Sequence, residues 1–127
     1  MTLTYASGHD LLEALVRARV RYEGDPYVDL FAPDAEVRLD PFAPALVGLN
    51  ALRAYLLEAA GTERDYDLAI ERHWVVGDVV LAAWHASWNR RDTDAKVRHA
   101  GFLAAEVGAD GRIVRLRQWF NAREHAE

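Results

Sequence analysis

Asp40 is the residue of this 127-residue chain whose position points most directly to chemistry. It ends a predicted strand over residues 35–40 and is followed by Pro41 and an apolar loop, residues 42–47. If that loop shields the carboxyl group from water, burial raises the pKa of Asp40, and such a carboxylate can act as a general base. The alternative interpretation is structural, because an Asp-Pro pair also starts a turn.

Alternation along the last predicted strand, residues 112–123, defines one wall of a pocket. Side chains on a strand point to its two faces in turn, so Leu116, Gln118 and Phe120 share a face that we expect to turn toward the helices. Gln118 is the polar member of this set. Its amide can orient a ligand but cannot exchange a proton near neutral pH.

Strand pairing adds His99 to the same pocket. If Val107 pairs with Arg112 across the turn between the last two strands, His99 lies opposite Phe120 and points inward. His99 could then act as acid or base, or donate to a ligand carbonyl, although a lone inward histidine is often only a satisfied pocket residue. Leu103 shares this inward face, and the same register carried across the preceding hairpin sets Trp88 beside His99 and Trp84 beside Leu103.

Glu71 and His73 are weaker candidates on the predicted strand over residues 66–76. A regular two-residue turn at residues 77–78 sends both side chains into the pocket and Trp74 outward, whereas a β-bulge would shift this register. We favour the regular strand. Together with His99 or Asp40 the pair could suggest a metal site, but such spacing is common by chance, so no metal is expected.

These residues depend on a simple order of elements. Helical spacing and turn signals predict a first helix that is capped near Ser7 and ends before Gly24. A short helix follows from Pro26 to Phe31, and a third over residues 50–60 carries Tyr55, a further ligand-contacting candidate, on its apolar side. Long strands then come in succession, which predicts an α+β domain with helices on one face of a curved sheet. Their ranges are 66–76, 79–90, 96–107 and 112–123.

The chain resembles the nuclear-transport-factor-two-like superfamily, in particular its SnoaL-like and ketosteroid-isomerase-like branch. The resemblance rests on the order and spacing of four segments, residues 22–41, 47–56, 75–84 and 110–123. It implies a cystatin-like α+β cone, with a curved, mostly antiparallel sheet wrapped around the N-terminal helices and an apolar pocket inside. It also implies that homodimers are common. Isomerases, polyketide cyclases, epoxide hydrolases and non-catalytic binding modules share this fold, so the fold does not choose among them.

Asp40 matches the catalytic base of the ketosteroid isomerases in this resemblance, and His99 the inward histidine of SnoaL-like cyclases. The two positions that hold the enolate oxygen in the isomerases fall near Arg17 and on Leu103, where the sequence departs from the family. The aspartates of limonene epoxide hydrolases correspond to Gln118 and to an asparagine, Asn121. The resemblance therefore implies a cofactor-independent isomerase or cyclase that acts next to a carbonyl or, alternatively, a non-catalytic ligand-binding or dimerisation module.

Composition limits the class of protein. The formal net charge is -5, whereas phosphate recognition needs a basic surface, so no nucleic-acid binding is expected. The cluster of Arg17, Arg19 and Arg21 is expected on solvated surface because acids lie nearby. No apolar run approaches the roughly 20 residues of a membrane span, and residues 1–10 lack signal-peptide features. We therefore expect one cytoplasmic domain over residues 1–127 that makes no membrane contact.

Two partners are expected. One is a small apolar ligand in the pocket, bound without a cofactor, because the sequence has no nucleotide fingerprint. The other is a second copy of the chain, which would pack on the outer face of the sheet. The residues expected on that face are Trp74, Val76, His85, Phe102, Arg117 and Trp119.

Overall fold

A computed structural model of the protein describes residues 3–125. Within these residues, three helices precede or interrupt a six-stranded sheet of order β2-β1-β6-β5-β4-β3, in which β1 and β6 pair in parallel and the other neighbouring strands pair antiparallel. This arrangement confirms an α+β fold with a curved, mostly antiparallel sheet. The elements are α1 Tyr5–Val20, α2 Gly24–Val28, β1 Phe31–Arg38, β2 Leu46–Val47, α3 Leu49–Thr62, β3 Glu63–Val76, β4 Val79–Arg90, β5 Lys96–Val107 and β6 Ile113–His125.

The first helix begins one turn earlier than predicted. Thr4, not Ser7, is its N-cap: the Thr4 side chain accepts a hydrogen bond from the Ser7 backbone at 3.0 Å, and the Ser7 side chain accepts one from the Thr4 backbone at 2.8 Å. This reciprocal capping box satisfies two otherwise unpaired N–H groups. The helix buries Leu12, Leu15 and Ala18, and α1 packs against β3.

The chain between α2 and β1 also differs from the prediction. The short helix ends at Val28, and Phe31 already belongs to the strand, where it pairs with Ile113 of β6. Pro33 lies inside β1, at an irregularity of the ladder between Phe31 and Glu36. Proline lacks the N–H that a regular ladder would use, so it is accommodated where the pairing is interrupted.

The register between the last strands is shifted by two residues from the predicted one. Leu103 pairs with Gln118, and His99 pairs with Ala86 on one side and Ala122 on the other. A shift of two residues moves side chains along the strand without exchanging its faces, because the side-chain period is two. The predicted inward faces of β4, β5 and β6 therefore persist despite the wrong pairing.

A β-bulge in β3 overturns the prediction for Glu71. Ile70 pairs with Trp84 and Arg72 with Ala83, so Glu71 is an extra residue in this strand. The single inserted residue exchanges the faces of the strand before it. Ile70 consequently turns inward in place of Glu71.

The core fills the space between the helices and the concave face of the sheet. Its most deeply buried large side chains are Phe31, Leu52, Ile113, Leu116, Val28, Val37 and Val80. Within residues 3–125, no helix has the length and apolar character needed to cross a membrane.

Candidate functional site

A cavity of about 290 Å³ lies between the concave face of the sheet and the helices α1 and α3. This volume is near the lower end of the range for small-molecule sites. The cavity is lined by every predicted site residue except Glu71 and His73. The predicted residues that it brings together are Asp40, Tyr55, Trp84, Trp88, His99, Leu103, Leu116, Gln118 and Phe120.

Asp40 lines the cavity and also shapes the turn after β1. Its Oδ1 atom accepts a hydrogen bond from the Phe42 backbone at 2.8 Å, and its carbonyl oxygen accepts one from Ala43 at 3.1 Å. The structural interpretation of the Asp-Pro pair is confirmed by these turn hydrogen bonds, and the catalytic interpretation stays a prediction. The predicted shielding by the loop is wrong, because Phe42 is 98% exposed and Val47 is exposed as well.

His99 sits in an aromatic slot. Its ring stacks on Phe120 with centroids 4.2 Å apart and meets the edge of Trp88 at 4.6 Å. Burial lowers the pKa of His99, and Arg90 lowers it further, while Asp40 partly opposes both. The imidazole is therefore neutral at pH 7, with one N–H donor and one acceptor nitrogen. Neither nitrogen has a hydrogen-bond partner among residues 3–125, so both are available to a ligand.

Gln118 brings an amide to the same cavity from β6. Its Nε2 atom donates to the Leu39 carbonyl across a long 3.5 Å contact. Such a weak bond leaves the amide free to reorient toward a ligand oxygen. The buried Trp84 ring forms part of the wall, and its Nε1–H has no hydrogen-bond partner in the described part of the chain.

Arg19 is a site residue that the sequence analysis missed. It is not on solvated surface, because only 7% of its side chain is exposed. Its Nη2 atom donates to both carboxylate oxygens of Glu63, at 2.9 and 3.0 Å. Its Nε–H donates to the Tyr55 hydroxyl at 3.0 Å, and the guanidinium lies 4.0 Å from the centroid of the Tyr66 ring. The signal was present in its spacing, because Arg19 follows Leu15 by four residues on the apolar stripe of α1.

The charge state of this cluster follows from its neighbours. Burial alone lowers the pKa of Arg19, but Tyr55, Tyr66 and Glu63 more than offset it, so the net shift is upward and the guanidinium stays charged. Burial is also the largest cause that raises the pKa values of Tyr55, Tyr66 and Tyr27, all of which line the cavity. Near neutral pH these tyrosines keep their hydroxyl hydrogens, which makes them possible hydrogen-bond donors.

Glu71 and His73 lie elsewhere. Glu71 is exposed and its Oε1 atom lies 2.9 Å from Nδ1 of His85. His73 is buried beneath the start of α1, where Nε2 lies 3.1 Å from the Tyr5 carbonyl oxygen and the two rings stack at 4.0 Å. The prediction that this pair lines the ligand cavity is therefore wrong. In residues 3–125, no three or more His, Cys, Asp or Glu side chains are arranged to hold a metal ion.

The fold and the cavity define the class of protein first. A curved sheet around N-terminal helices, with a largely apolar cavity between them, is the architecture of nuclear-transport-factor-two-like and ketosteroid-isomerase-like proteins. Residues 12–116 match the SnoaL-like domain family, and the chain belongs to that family.

Three solved structures illustrate the likeness. RV0760c from Mycobacterium tuberculosis superposes with a TM-score of 0.83 at 13% identity, over 96% of this chain and 98% of that one. SalBIII, an epoxide hydrolase/cyclase-like enzyme with a role in pyran ring formation in the polyether salinomycin, gives 0.81 at 14%, over 91% and 92%. A computationally designed 17-OHP binder gives 0.81 at 15%, over 93% and 98%. Such identities establish the fold alone. No significant match is found among functionally curated proteins.

Proposed function

We propose that this protein binds a small apolar, carbonyl-bearing molecule and acts on it as a cofactor-independent isomerase or cyclase. The observation that carries the proposal is the convergence of Asp40, His99 and Gln118 on one cavity whose walls are largely aliphatic and aromatic. A carboxylate and neutral hydrogen-bond donors around an apolar space are the groups that proton abstraction next to a carbonyl requires.

The proposed step begins at Asp40. Its carboxylate takes a proton from the carbon next to the carbonyl, and the electrons of that C–H bond form the enolate while negative charge moves to the oxygen. His99 and Gln118 orient oxygen atoms of the ligand through hydrogen bonds. Where the substrate has a carbon–carbon double bond next to that carbon, the enolate is a conjugated dienolate, and isomerisation ends when Asp40 returns the proton to the far end of the former double bond. In cyclisation, the enolate carbon attacks a second carbonyl, and the resulting alkoxide takes the proton.

A non-catalytic binding function is the second candidate. It is favoured by Gln118 and Asn121, because amides occupy the positions that resemble the epoxide-hydrolase carboxylates and cannot exchange protons. The designed 17-OHP binder supports it, since the same fold serves there for binding. SalBIII, with its role in ring formation, instead supports the cyclase alternative.

Deuterium exchange separates the two candidates. 2-Acetylnaphthalene, a small ketone, is incubated with the protein in D2O, and loss of its methyl signal is followed by proton NMR. We expect exchange above the protein-free rate and a decrease of about a hundredfold or more in Asp40→Asn, the scale of general-base catalysis. Asparagine retains the oxygen that accepts the Phe42 bond, so the turn should persist. Asp34→Asn, an exposed change in β1, is the matched control. Binding without accelerated exchange would favour the non-catalytic function.

We also propose a homodimer through the outer face of the sheet. Trp74 and Phe102 stack there with centroids 6.1 Å apart, and Phe102 pairs with Trp119 of the neighbouring strand. Phe102 is 52% exposed and Trp119 is 40% exposed. Such a patch of neighbouring aromatic side chains, in which Trp74 is half-buried, supports an interaction surface. A second copy of the chain offers the same patch for a two-fold contact.

A further inference from the structure

We infer that Tyr55 is the oxygen-binding donor of the cavity, that Arg19 positions its hydroxyl, and that the ligand accepted there is a neutral carbonyl compound rather than a carboxylate. This inference rests on the proposed function and deepens it. It assigns the enolate-stabilising role to α3 and α1, whereas the family resemblance points to Arg17 and Leu103. Arg17 is exposed and Leu103 has no polar side chain, so neither supplies the donor.

The hydrogen bond between Arg19 and Tyr55 fixes the direction of donation. Arg19 Nε–H donates at 3.0 Å, so the Tyr55 oxygen is the acceptor in this contact. The hydroxyl hydrogen must then point elsewhere, and it finds no acceptor among residues 3–125. Tyr55 lines the cavity. A hydroxyl that accepts from a cation is polarised and donates more strongly through its own hydrogen.

The surroundings hold Arg19 in place before any ligand enters. Both oxygens of Glu63 accept from Nη2, Tyr22 also donates to Glu63 at 3.1 Å, and the Tyr66 ring covers the guanidinium. Preorganised donors of this kind stabilise developing negative charge without reorganising during the reaction. Arg19 thus acts as a positioning residue for the Tyr55 hydroxyl.

The balance of donors and acceptors indicates the chemistry of the ligand. Besides the Tyr55 hydroxyl, the buried Arg19 Nη1 and Trp84 Nε1 atoms have no hydrogen-bond partner within the described chain. Both residues line the cavity. Unpaired buried donors are uncommon in native proteins. Because the cavity lining has unpaired hydrogen-bond donors, it suits a ligand with an oxygen atom that accepts hydrogen bonds.

The charged residues that line the cavity disfavour a carboxylate as the ligand. Arg19, Glu63 and Asp40 are the charged residues that line the cavity, and the first two cancel in their ion pair. The His99 ring is neutral, as described above. Counted by formal charge, Asp40 then gives the lining a net charge of about -1, which disfavours an anion. A neutral ketone meets the donors without this penalty.

Three naphthalene probes of matched shape test the assignment by isothermal titration calorimetry. They are 2-acetylnaphthalene, which is a neutral ketone, 2-naphthoate, which is an anion, and 2-isopropenylnaphthalene, which has no oxygen. We expect the ketone to bind about tenfold more tightly than the hydrocarbon, the scale of one hydrogen bond, and more tightly than the anion. In Tyr55→Phe the advantage over the hydrocarbon should disappear. Tighter binding of naphthoate than of the ketone would overturn the assignment.

Infrared spectroscopy reads the hydrogen bond itself. With a ¹³C-labelled carbonyl, the C=O stretch of the bound ketone should lie at lower frequency than in an apolar solvent. Tyr55→Phe should remove most of this shift, and Arg19→Lys, which keeps a charge but loses the Nε donor, should reduce it. Tyr5→Phe, an exposed tyrosine on α1, is the control and should leave the stretch unchanged. An unchanged stretch in Tyr55→Phe would show that another group binds the oxygen.

The two experiments can contradict the proposed reaction and the oxygen-binding assignment separately. If Asp40→Asn does not slow deuterium exchange but Tyr55→Phe removes the infrared shift, the proposed reaction is wrong and the oxygen-binding assignment stands. If exchange depends on Asp40 while the stretch is insensitive to Tyr55, the reaction stands and this inference is wrong.

Discussion

At the scale of single residues, the ion pair between Arg19 and Glu63 should matter far more for stability than any surface pair. Removing one partner of a buried pair leaves an uncompensated charge in a space that hydrates it poorly. We expect Glu63→Gln to lower the free energy of unfolding by about 3 kcal/mol or more. The double change Arg19→Met with Glu63→Met should recover most of that loss, because no buried charge is then left unpaired. Urea denaturation measures both.

An exposed ion pair supplies the control for this prediction. Arg53 and Asp25 lie 2.7 Å apart, but their side chains are 47% and 80% exposed. Solvent screening limits such pairs to at most about 1 kcal/mol, so Asp25→Asn should have little effect. Equal losses in Glu63→Gln and Asp25→Asn would contradict the buried-pair interpretation.

His99 should make stability depend on pH. Its pKa is lowered in the folded protein, chiefly by burial, so the unfolded chain binds the proton more readily. Stability from the neutral ring is therefore complete above the ordinary value of about 6.5 and falls as pH drops from there toward the lowered folded pKa. The slope contributed by one such group cannot exceed about 1.4 kcal/mol per pH unit.

Urea denaturation of the protein and of His99→Gln between pH 7 and pH 5 checks this effect. The difference between their pH dependences should have the sign just given, with the variant losing less stability on acidification. His85→Gln alters an exposed ring and serves as the control. Parallel pH profiles for the protein and His99→Gln would contradict the prediction.

Whether the sequence predicts the place of a cavity residue depends on what determines that place: local strand or helix periodicity, or contacts between distant segments. Inward placement of His99 and Gln118 required only strand alternation, which survives an even register shift. Arg19 was missed because it was grouped with Arg17 and Arg21 by composition, although its helical position differs from theirs. Local charge density does not show which face of a helix a residue occupies, whereas spacing from Leu15 does.

At the scale of elements, β5 should tolerate no side chain at Gly101. Gly101 faces Phe120 across the β5–β6 ladder. A Cβ atom built there would fall on the Trp119 carbonyl oxygen and within 2.9 Å of the Phe120 Cβ atom. Because those atoms belong to or adjoin the backbone of β6, the strands would have to move. We expect Gly101→Ala to cost about 3 kcal/mol or more, at the upper end of overpacking effects.

Gly61 offers the same substitution in the opposite situation. It lies in α3, and a Cβ atom there meets no other atom within 4 Å. Alanine restricts the unfolded chain and favours the helix, so Gly61→Ala should raise stability by about 0.5–1 kcal/mol. Thermal and urea unfolding of the two variants should therefore change in opposite directions. A mild effect at Gly101 would show that β5 and β6 separate easily.

The strands themselves were predictable to different degrees. Alternation and turn residues located β4 and β5, but they do not encode the pairing partner or the residues absorbed by a bulge. The observed pairing of β5 with β6 differs from the predicted pairing by two residues, which leaves the inward and outward faces unchanged. The bulge at Glu71 instead inserts one residue into β3 and exchanges the faces of the preceding part of the strand. An odd change in register is therefore the error that misassigns a site residue.

At the scale of the whole molecule, the order of helices and strands was enough to predict the cone-shaped fold but not all the residues that line its cavity. Helices concentrated in the first half and long antiparallel strands in the second half are typical of an α+β domain with helices on one face of the sheet. The cavity, in contrast, depends on side chains from elements distant in sequence. Arg19 of α1, Tyr55 of α3 and Glu63 at the start of β3 are far apart in sequence and come into contact through the tertiary fold. A function must therefore be argued from these side chains in the cavity and not from the fold alone.

The last prediction concerns the proposed association of two copies through the outer face of the sheet. If the patch of Trp74, Phe102 and Trp119 is the contact, a charge at its centre must be buried without a partner in the dimer. Phe102→Lys should then raise the dimer dissociation constant by about 30-fold or more, the scale of an interface hot spot. Phe42→Lys is a matched control, because Phe42 is 98% exposed but lies in the loop after β1. Sedimentation equilibrium gives the mass, and ketone binding in the same samples shows that the cavity is intact. A monomeric unsubstituted protein, or equal effects of both lysines, would contradict the proposed dimer.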